Sequence, residues 1–304
     1  MSVVSRKVAG TTFTLLTGVA AALVVAMLGL ILLDVVRGGA SRISWAFLTQ
    51  NPEEGMTAGG IFPAIYGTAI LTLIMTVAVM PVGVATAVYL HEYAPPASRL
   101  AALVRVAVTN LAGVPSIVFG LFGLGFFIQF VGRGLDRTLS DPGQLRYGQP
   151  ALLWAALTLA VLTLPVVIVS TEEALRAVPR DHRDASLALG ATKSQTLARV
   201  VLPGALPGIL TGAILAVARG AGEVAPILFT GVAYFLPDLP RSAFSQFMHL
   251  GYHVYVLATQ SPDVEATRPL LYATVLVLLV LTFALNAVAI AIRTHTRRRA
   301  EGGH

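Results

Sequence analysis

An all-α membrane bundle with six spanning helices is the fold class this sequence predicts, and three observations carry it. Hydrophobic residues make up 56% of the 304 residues and charged residues only 12%, with mean hydropathy +0.77. A soluble domain carries roughly 25% charged residues. Apolar stretches recur along the chain, each reaching the ~20 residues a spanning helix needs. The basic residues between them are unevenly shared. The length would allow two domains, but the repeated apolar stretches predict one transmembrane domain over 1–304. There is no cysteine, which removes disulfides, thiolate metal sites and cysteine nucleophiles and leaves the compartment open.

The predicted spans are Thr11–Leu33, Tyr66–Leu90, Val106–Val131, Pro150–Val169, Leu206–Phe235 and Pro269–Ile292. The fifth is long enough that it should be broken or tilted. With the N-terminus inside, one side holds Arg6, Lys7, Arg99, Arg105, Arg176, Arg180, Arg183, Lys193, Arg199, Arg293 and Arg297–Arg299. The other holds Arg37, Arg42, Arg133, Arg137, Arg146, Arg241 and Arg268. The excess puts both termini in the cytoplasm. The first apolar stretch is too long for the 7–15-residue core of a signal peptide, so it is read as a retained helix. The basic tail follows a span directly. An anchor on anionic lipid fits it better than nucleic acid does.

Between the fourth and fifth spans lies a polar loop, 170–203. Ser170-Thr171-Glu172-Glu173 fits a capping box, and Pro179 should end the short helix it opens. Asp181 is placed to cap a second helix carrying Asp184, Leu187 and Leu189. Gly190 fits the left-handed position past its C-terminus. Thr192-Lys193-Ser194-Gln195 is another capping box, opening a helix that should end near Leu202. Pro203 and Pro207 then punctuate the fifth span. Flanking spans argue against a DNA-binding helix-turn-helix; a short helix offering apolar side chains to a groove on another protein fits better. The spacing Asp184-Ala185-Ser186, three residues, Gly190, nine residues, Val200-Val201-Leu202-Pro203 resembles the E-A-A-x3-G-x9-I-x-L-P loop of ABC importer permeases. Asp184 stands for Glu, Ser186 for the second Ala and Val200 for Ile. The resemblance implies an ATPase-coupling role for Asp184, Ala185, Ser186, Leu187, Gly190, Leu202 and Pro203. The only lysines, Lys7 and Lys193, do not follow glycine, so the chain has no P-loop of its own.

Arg219 and Glu223 are charged residues within the fifth predicted span. Four apart, they share a helix face and can pair. Intramembrane charge beside a helix break is a transport-site signal; a pair that only fixes packing is the competing interpretation. Pro226 should interrupt the helix by crowding the carbonyl of Gly222, with Gly220 and Gly222 adding flexibility as a hinge. The run Arg219-Gly220-Ala221-Gly222-Glu223-Val224-Ala225-Pro226-Ile227-Leu228-Phe229-Thr230 resembles the R-A-x-G-E-T-A-P-L-L-F-T stretch of phosphate importer permeases. So do Leu111–Gly123 around the third span, and Ala58–Thr68 and Tyr89–Ala94 around the second. Val224 departs from the family's Thr, which puts any hydroxyl contact there in doubt. The small residues Gly113, Ser116, Gly120, Gly123 and Gly125 suit close helix packing. Ser116 can also offer a hydroxyl to an anion. His249 and His253 have metal-ligand spacing but no third ligand in sight, in what reads as an outer loop, so no metal site is assigned.

The resemblance implies the type I ABC importer permease (MetI-like) fold, closer to the PstA-type than to the PstC-type subunit. It implies a permease for inorganic phosphate in a bacterial or archaeal cytoplasmic membrane. The implied partners are an ATPase dimer, a homologous PstC-type permease, an extracytoplasmic phosphate-binding protein and membrane lipid, with no nucleic acid. No cofactor is expected on this chain, ATP and Mg belonging to the ATPase. Two alternatives stand at this point: a permease for another oxyanion, and a proton-coupled carrier titrating Glu223.

Overall fold

The computed structural model describes residues 3–53, 58–95, 97–141, 143–261 and 263–301, with side chains described from 12 to 295. Arg6, Lys7 and Arg297–Arg299 lie outside the described side chains. In order the elements are α1 Val3–Gly39, α2 Trp45–Thr49, β1 Pro52–Glu53, β2 Ala58–Gly59, α3 Phe62–Val88, α4 Arg99–Ala112, α5 Ser116–Phe122 and α6 Arg133–Leu139. There follow α7 Leu152–Ala177, α8 Arg180–Ala188, α9 Lys193–Thr196, α10 Leu202–Gly220, α11 Leu250–Thr259 and α12 Val264–Glu301. The two strands pair antiparallel, Pro52 opposite Gly59 and Glu53 opposite Ala58. Wide π turns at Tyr89–Tyr93, Gly123–Gly132 and Leu197–Val201 join neighbouring helices.

Among the described residues, six helical stretches are long and apolar enough to cross a membrane: Thr12–Arg42, Phe62–Tyr93, Ser116–Leu139, Leu152–Ala177, Lys193–Gly220 and Val264–His295. The number matches the sequence reading, but several boundaries do not. The predicted third span, Val106–Val131, is two helices. Pro115 pushes Val114 out of helical geometry, so α4 ends at Ala112 and a new helix begins at Ser116. The fourth span does not stop at Val169: α7 runs on to Ala177. Ser170 therefore caps nothing; its hydroxyl donates to Val167 O at 3.1 Å inside the helix. The helix predicted to end near Leu202 continues without a break from Lys193 to Gly220. The fifth span is broken as expected, and the break comes at Gly220.

Helix α7 is the centre. Ala155, Ala156, Leu159 and Val167 pack against Leu71, Met75 and Val79 of α3 and Ala216 of α10. Burial against lipid gives helices no hydrophobic gain, so close packing between small residues must hold them. Gly83 of α3 shows it: a Cβ there would lie 2.5 Å from a Val167 methyl. Helix α1 stands apart, its apolar stretch exposed, and joins the bundle at its end. There Tyr272 Oη donates to Asp34 Oδ2 at 2.9 Å, and Gly39 lies against the backbone of α12.

After α10 the chain runs from 221 to 249 without an α-helix. It makes one 3₁₀ turn, Ile227–Phe229, with Pro226 before it. This segment satisfies the free N–H groups that begin α7. Ala151 N donates to Thr230 O at 2.9 Å, Leu152 N to Ser245 O at 2.9 Å and Leu153 N to Ala243 O at 2.8 Å. A helix start has such orphan donors and needs partners for them. The segment then meets α3, where Leu250 N donates to Thr68 Oγ1 at 2.9 Å.

Candidate functional site

Arg219 occupies the last turn of α10, with Glu223 just past its end. The guanidinium Nε is 3.7 Å from Glu223 Oε1, and the two side chains are 39% and 22% exposed. Gly220, beside them, packs on Met75 near the middle of α3; a Cβ would lie 2.3 Å from Met75 Sδ. Helix α10 thus stops level with a point roughly 20 Å from the N-terminal end of α3, at 1.5 Å per residue. Backbone without helix is tolerated at membrane depth only where protein buries it or a cavity opens. Here the loop is packed on one side and the Arg219 side chain is open on the other. Pro226 does not interrupt a helix, because the helix has already ended. Gly220 is a point of close approach, whereas a Cβ on Gly222 would meet only the Arg219 carbonyl oxygen, at 3.9 Å.

Ser116 is the first residue of α5. One turn further, Gly120 touches the Pro226 backbone, where a Cβ would sit 3.0 Å from Pro226 Cα. Ser116 therefore starts the helix that walls the loop after Glu223, although no described hydrogen bond joins it to Arg219 or Glu223. Val224 faces α11: a Cβ on Gly251 would be 2.7 Å from Val224 Cγ2. His249 is the last residue of the loop and the N-cap of α11, and His253 lies within that helix; they are 1% and 2% exposed. His249 Nδ1 accepts from Gly251 N at 3.1 Å. Burial pushes His249 down to about 3 and His253 down to about 4 from 6.5, so both rings are neutral at neutral pH.

At the far end of the bundle, α8 has no buried residue. Leu189, which follows it, is 90% exposed and Leu187 is exposed beside Asp184. Pro179 occupies the N-cap position, with Val178 extended before it, so Asp181 sits in the first turn and caps nothing. Gly190 has φ +85°, with nothing near its missing Cβ, so the left-handed backbone alone requires glycine. Thr192 and Gln195 form the expected capping box. Ser186, the departure from the second Ala, bonds Thr196 Oγ1 at 3.0 Å and ties α8 to α9. Leu202 and Pro203 are the first residues of α10.

A charge network that local spacing gave no sign of lies behind α8. Arg183 Nη2 donates to Leu175 O at 2.6 Å and lies 3.2 Å from Glu92 Oε1. Lys193 Nζ donates to Glu92 O and sits 5.0 Å from the Tyr93 ring centre. Arg105 joins Glu172 Oε1 at 2.7 Å and donates to Leu90 O at 2.9 Å. A cleft of about 500 Å³ opens between α8, Glu92 and Lys193.

Residues 79–302 match the family described as "Binding-protein-dependent transport system inner membrane component". This chain belongs to that family. The permease is 33% identical over 275 residues to the probable ABC transporter permease protein YqgI of Bacillus subtilis, covering 86% of this chain and 88% of that one. It is 30% identical to the phosphate transport system permease protein PstA 2 of Mycobacterium bovis, covering 88% of this chain and 82% of that protein. To PstA 1 of Mycobacterium tuberculosis it is 39% identical, over 60% of this chain and 55% of that protein. Its fold is similar to a subunit in the crystal structure of a bacterial alginate ABC transporter with its pentasaccharide-bound periplasmic protein. The TM-score is 0.63 at 15% identity, over 97% of this chain and 96% of that one. An inward-facing MetNI methionine ABC transporter gives 0.59 at 20% identity, over 77% and 94%. The permease is a multi-pass membrane protein with the type I importer fold.

Proposed function

We propose that this permease is the PstA-type subunit of an ATP-driven phosphate importer. The observation that carries the reading is the exposed Arg219, loosely paired with Glu223, where a spanning helix stops inside the bundle. An arginine cannot face lipid at that depth without a cost of about 3 kcal/mol or more. Its open side therefore faces a path or a partner. Its planar fork suits an oxyanion, and relatives named for phosphate transport supply the substrate class. Ser116 lines the same path, and Gly220, Gly222 and Pro226 shape the break. Because Val224 packs on Gly251, the departure from Thr does not favour a different oxyanion. The carrier alternative falls with the family.

The chain binds no cofactor. An ATPase dimer, using ATP and Mg, docks on α8 and Leu189, where Asp184, Ala185, Leu187 and the Gly190 turn form the contact. Ser186, Leu202 and Pro203 support it from behind. A PstC-type permease covers the Arg219 face, and an extracytoplasmic phosphate-binding protein delivers the anion. The subunit resides in a bacterial or archaeal cytoplasmic membrane with both termini and α8 on the cytoplasmic side. ATP binding draws α8, the path opens outward, Arg219 exchanges Glu223 for phosphate, and hydrolysis resets the bundle. Radiolabelled phosphate uptake by the assembled complex tests this. Arg219→Gln should assemble on a native gel and lose uptake; near wild-type uptake in that variant would remove Arg219 from the path.

A further inference from the structure

We propose that the Arg183–Glu92 ion pair is the strut that carries movement of α8 into α3, which makes both of them positioning residues for the transport step. The proposal rests on α8 being the element the ATPase moves. Helix α8 fully buries no side chain, so its packing on the rest of the bundle is thin and its polar links carry more of any displacement. Among the described residues those side-chain links are few. Ser186 holds Thr196, which moves with the α8 loop itself. Arg183 is the one that leaves the loop, reaching Glu92 Oε1 at 3.2 Å and Leu175 O at 2.6 Å. It therefore bridges the ends of α3 and α7, the two helices that form the core together.

Glu92 is held on its other side. Lys193 Nζ binds its carbonyl, and the same ammonium lies over Tyr93. His91 Nε2 is 3.8 Å from its carboxylate. The two charges of the strut are 20% and 12% exposed, so water screens them less than it screens a surface pair. From Glu92 the π turn leads into α3, and α3 carries Met75, the contact of Gly220 beside Arg219. A continuous packed route thus joins α8 to the open arginine. Such a route is a coupling path only if breaking a link uncouples the two ends.

The test uses the whole complex in liposomes, with Glu92→Gln, Arg183→Gln and the double variant. Each single change should leave the ATPase bound and ATP hydrolysis running while phosphate taken up per ATP falls about tenfold. The double should be no worse than the weaker single, because both remove one link. An unchanged phosphate-to-ATP ratio, or losses that multiply in the double, would overturn the strut. A second measurement, on the permease with its ATPase bound, needs no phosphate. The chain has no cysteine, so spin labels at His182→Cys and Val82→Cys report the α8–α3 distance alone. That distance should be narrow and unchanged between nucleotide states in the parent, and broad with Glu92→Gln; equal distributions refute the proposal. If the parent complex takes up no phosphate, the substrate reading fails, and the label distances still decide the strut.

Discussion

The two charged regions of this permease are built in opposite ways. Behind α8, Arg183 has both a carboxylate and a carbonyl, Glu92 receives contacts from two sides, and Arg105 repeats the pattern with Glu172 and Leu90. At the end of α10, Arg219 has one partner at 3.7 Å, and its side chain stays open. Over-determined charges hold a shape. A singly held charge at a helix break can trade its partner. The molecule thus separates the part that must keep its geometry from the part that must change its contacts.

The largest expected effect breaks the exchangeable end. Arg219→Gln should lower phosphate uptake about 100-fold, or roughly 3 kcal/mol at 1.36 kcal/mol per tenfold. Arg219→Lys should retain little, since an ammonium cannot form the fork. Glu223→Gln should slow the cycle while capture by the binding protein stays intact. Native-gel assembly separates these losses from misfolding: a variant that does not assemble points instead to a packing pair.

A pH ramp probes the loop that begins at this pair and ends at His249. The folded rings sit at about 3 and about 4 against 6.5 when unfolded. As pH falls below 6.5, the unfolded chain binds protons that the native state refuses, so stability falls with pH. By pH 5 the loss should be roughly 2 kcal/mol per ring. Thermal unfolding in detergent from pH 7.5 to 5 should show that slope, and His249→Asn with His253→Gln should flatten it. An equal slope in the double variant would exonerate both rings.

Much of this was legible in the sequence, for a physical reason in each case. Six spans follow from composition, since lipid demands apolar surface. The Gly190 turn and the Thr192 capping box follow from local backbone chemistry. The end of α10 was misplaced because residues 221–235 are as apolar as a span: protein buries the loop, and hydropathy cannot tell protein from lipid. Val114-Pro115 did announce the break in the third span, and the apolar run hid it. The Ser170 box was a chance pattern inside a helix that packing with α3 and α10 extends. The pairing of Glu92 with Arg183 carried no signal, because residues so far apart in sequence meet only through the fold.

Gly190→Val tests the α8 end at a smaller scale. With φ at +85° and no neighbour to clash, the whole penalty is backbone strain of roughly 1–2 kcal/mol. Uptake should fall about tenfold while the chain still inserts, and the ATPase should co-purify poorly. Gly190→Asn, which tolerates that region, should keep most activity. If the two substitutions behave alike, conformation is not what the position supplies.

The smallest effect is expected at Arg105, and it decides whether the α8 end acts as a unit. Its bond to Glu172 is short, 2.7 Å, but the arginine side chain is 42% exposed, so solvent screening leaves about 1 kcal/mol or less. Helix α4 keeps its own N-cap, where Ser98 Oγ accepts from Ala101 N at 3.2 Å, and has another anchor in Ala101, which packs with Leu90 and Ile168. Arg105→Gln should therefore lower the melting temperature by about 2–4 °C at most, and high salt should narrow the difference. Phosphate per ATP should stay within about twofold of the parent, since Arg105 touches neither α8 nor Arg183. The comparison with Glu92→Gln carries the weight, because both changes remove one charge from the same end of the bundle. Should Arg105→Gln uncouple as strongly as Glu92→Gln, the force would spread through the whole network, and the distinction between a strut and its surroundings would dissolve.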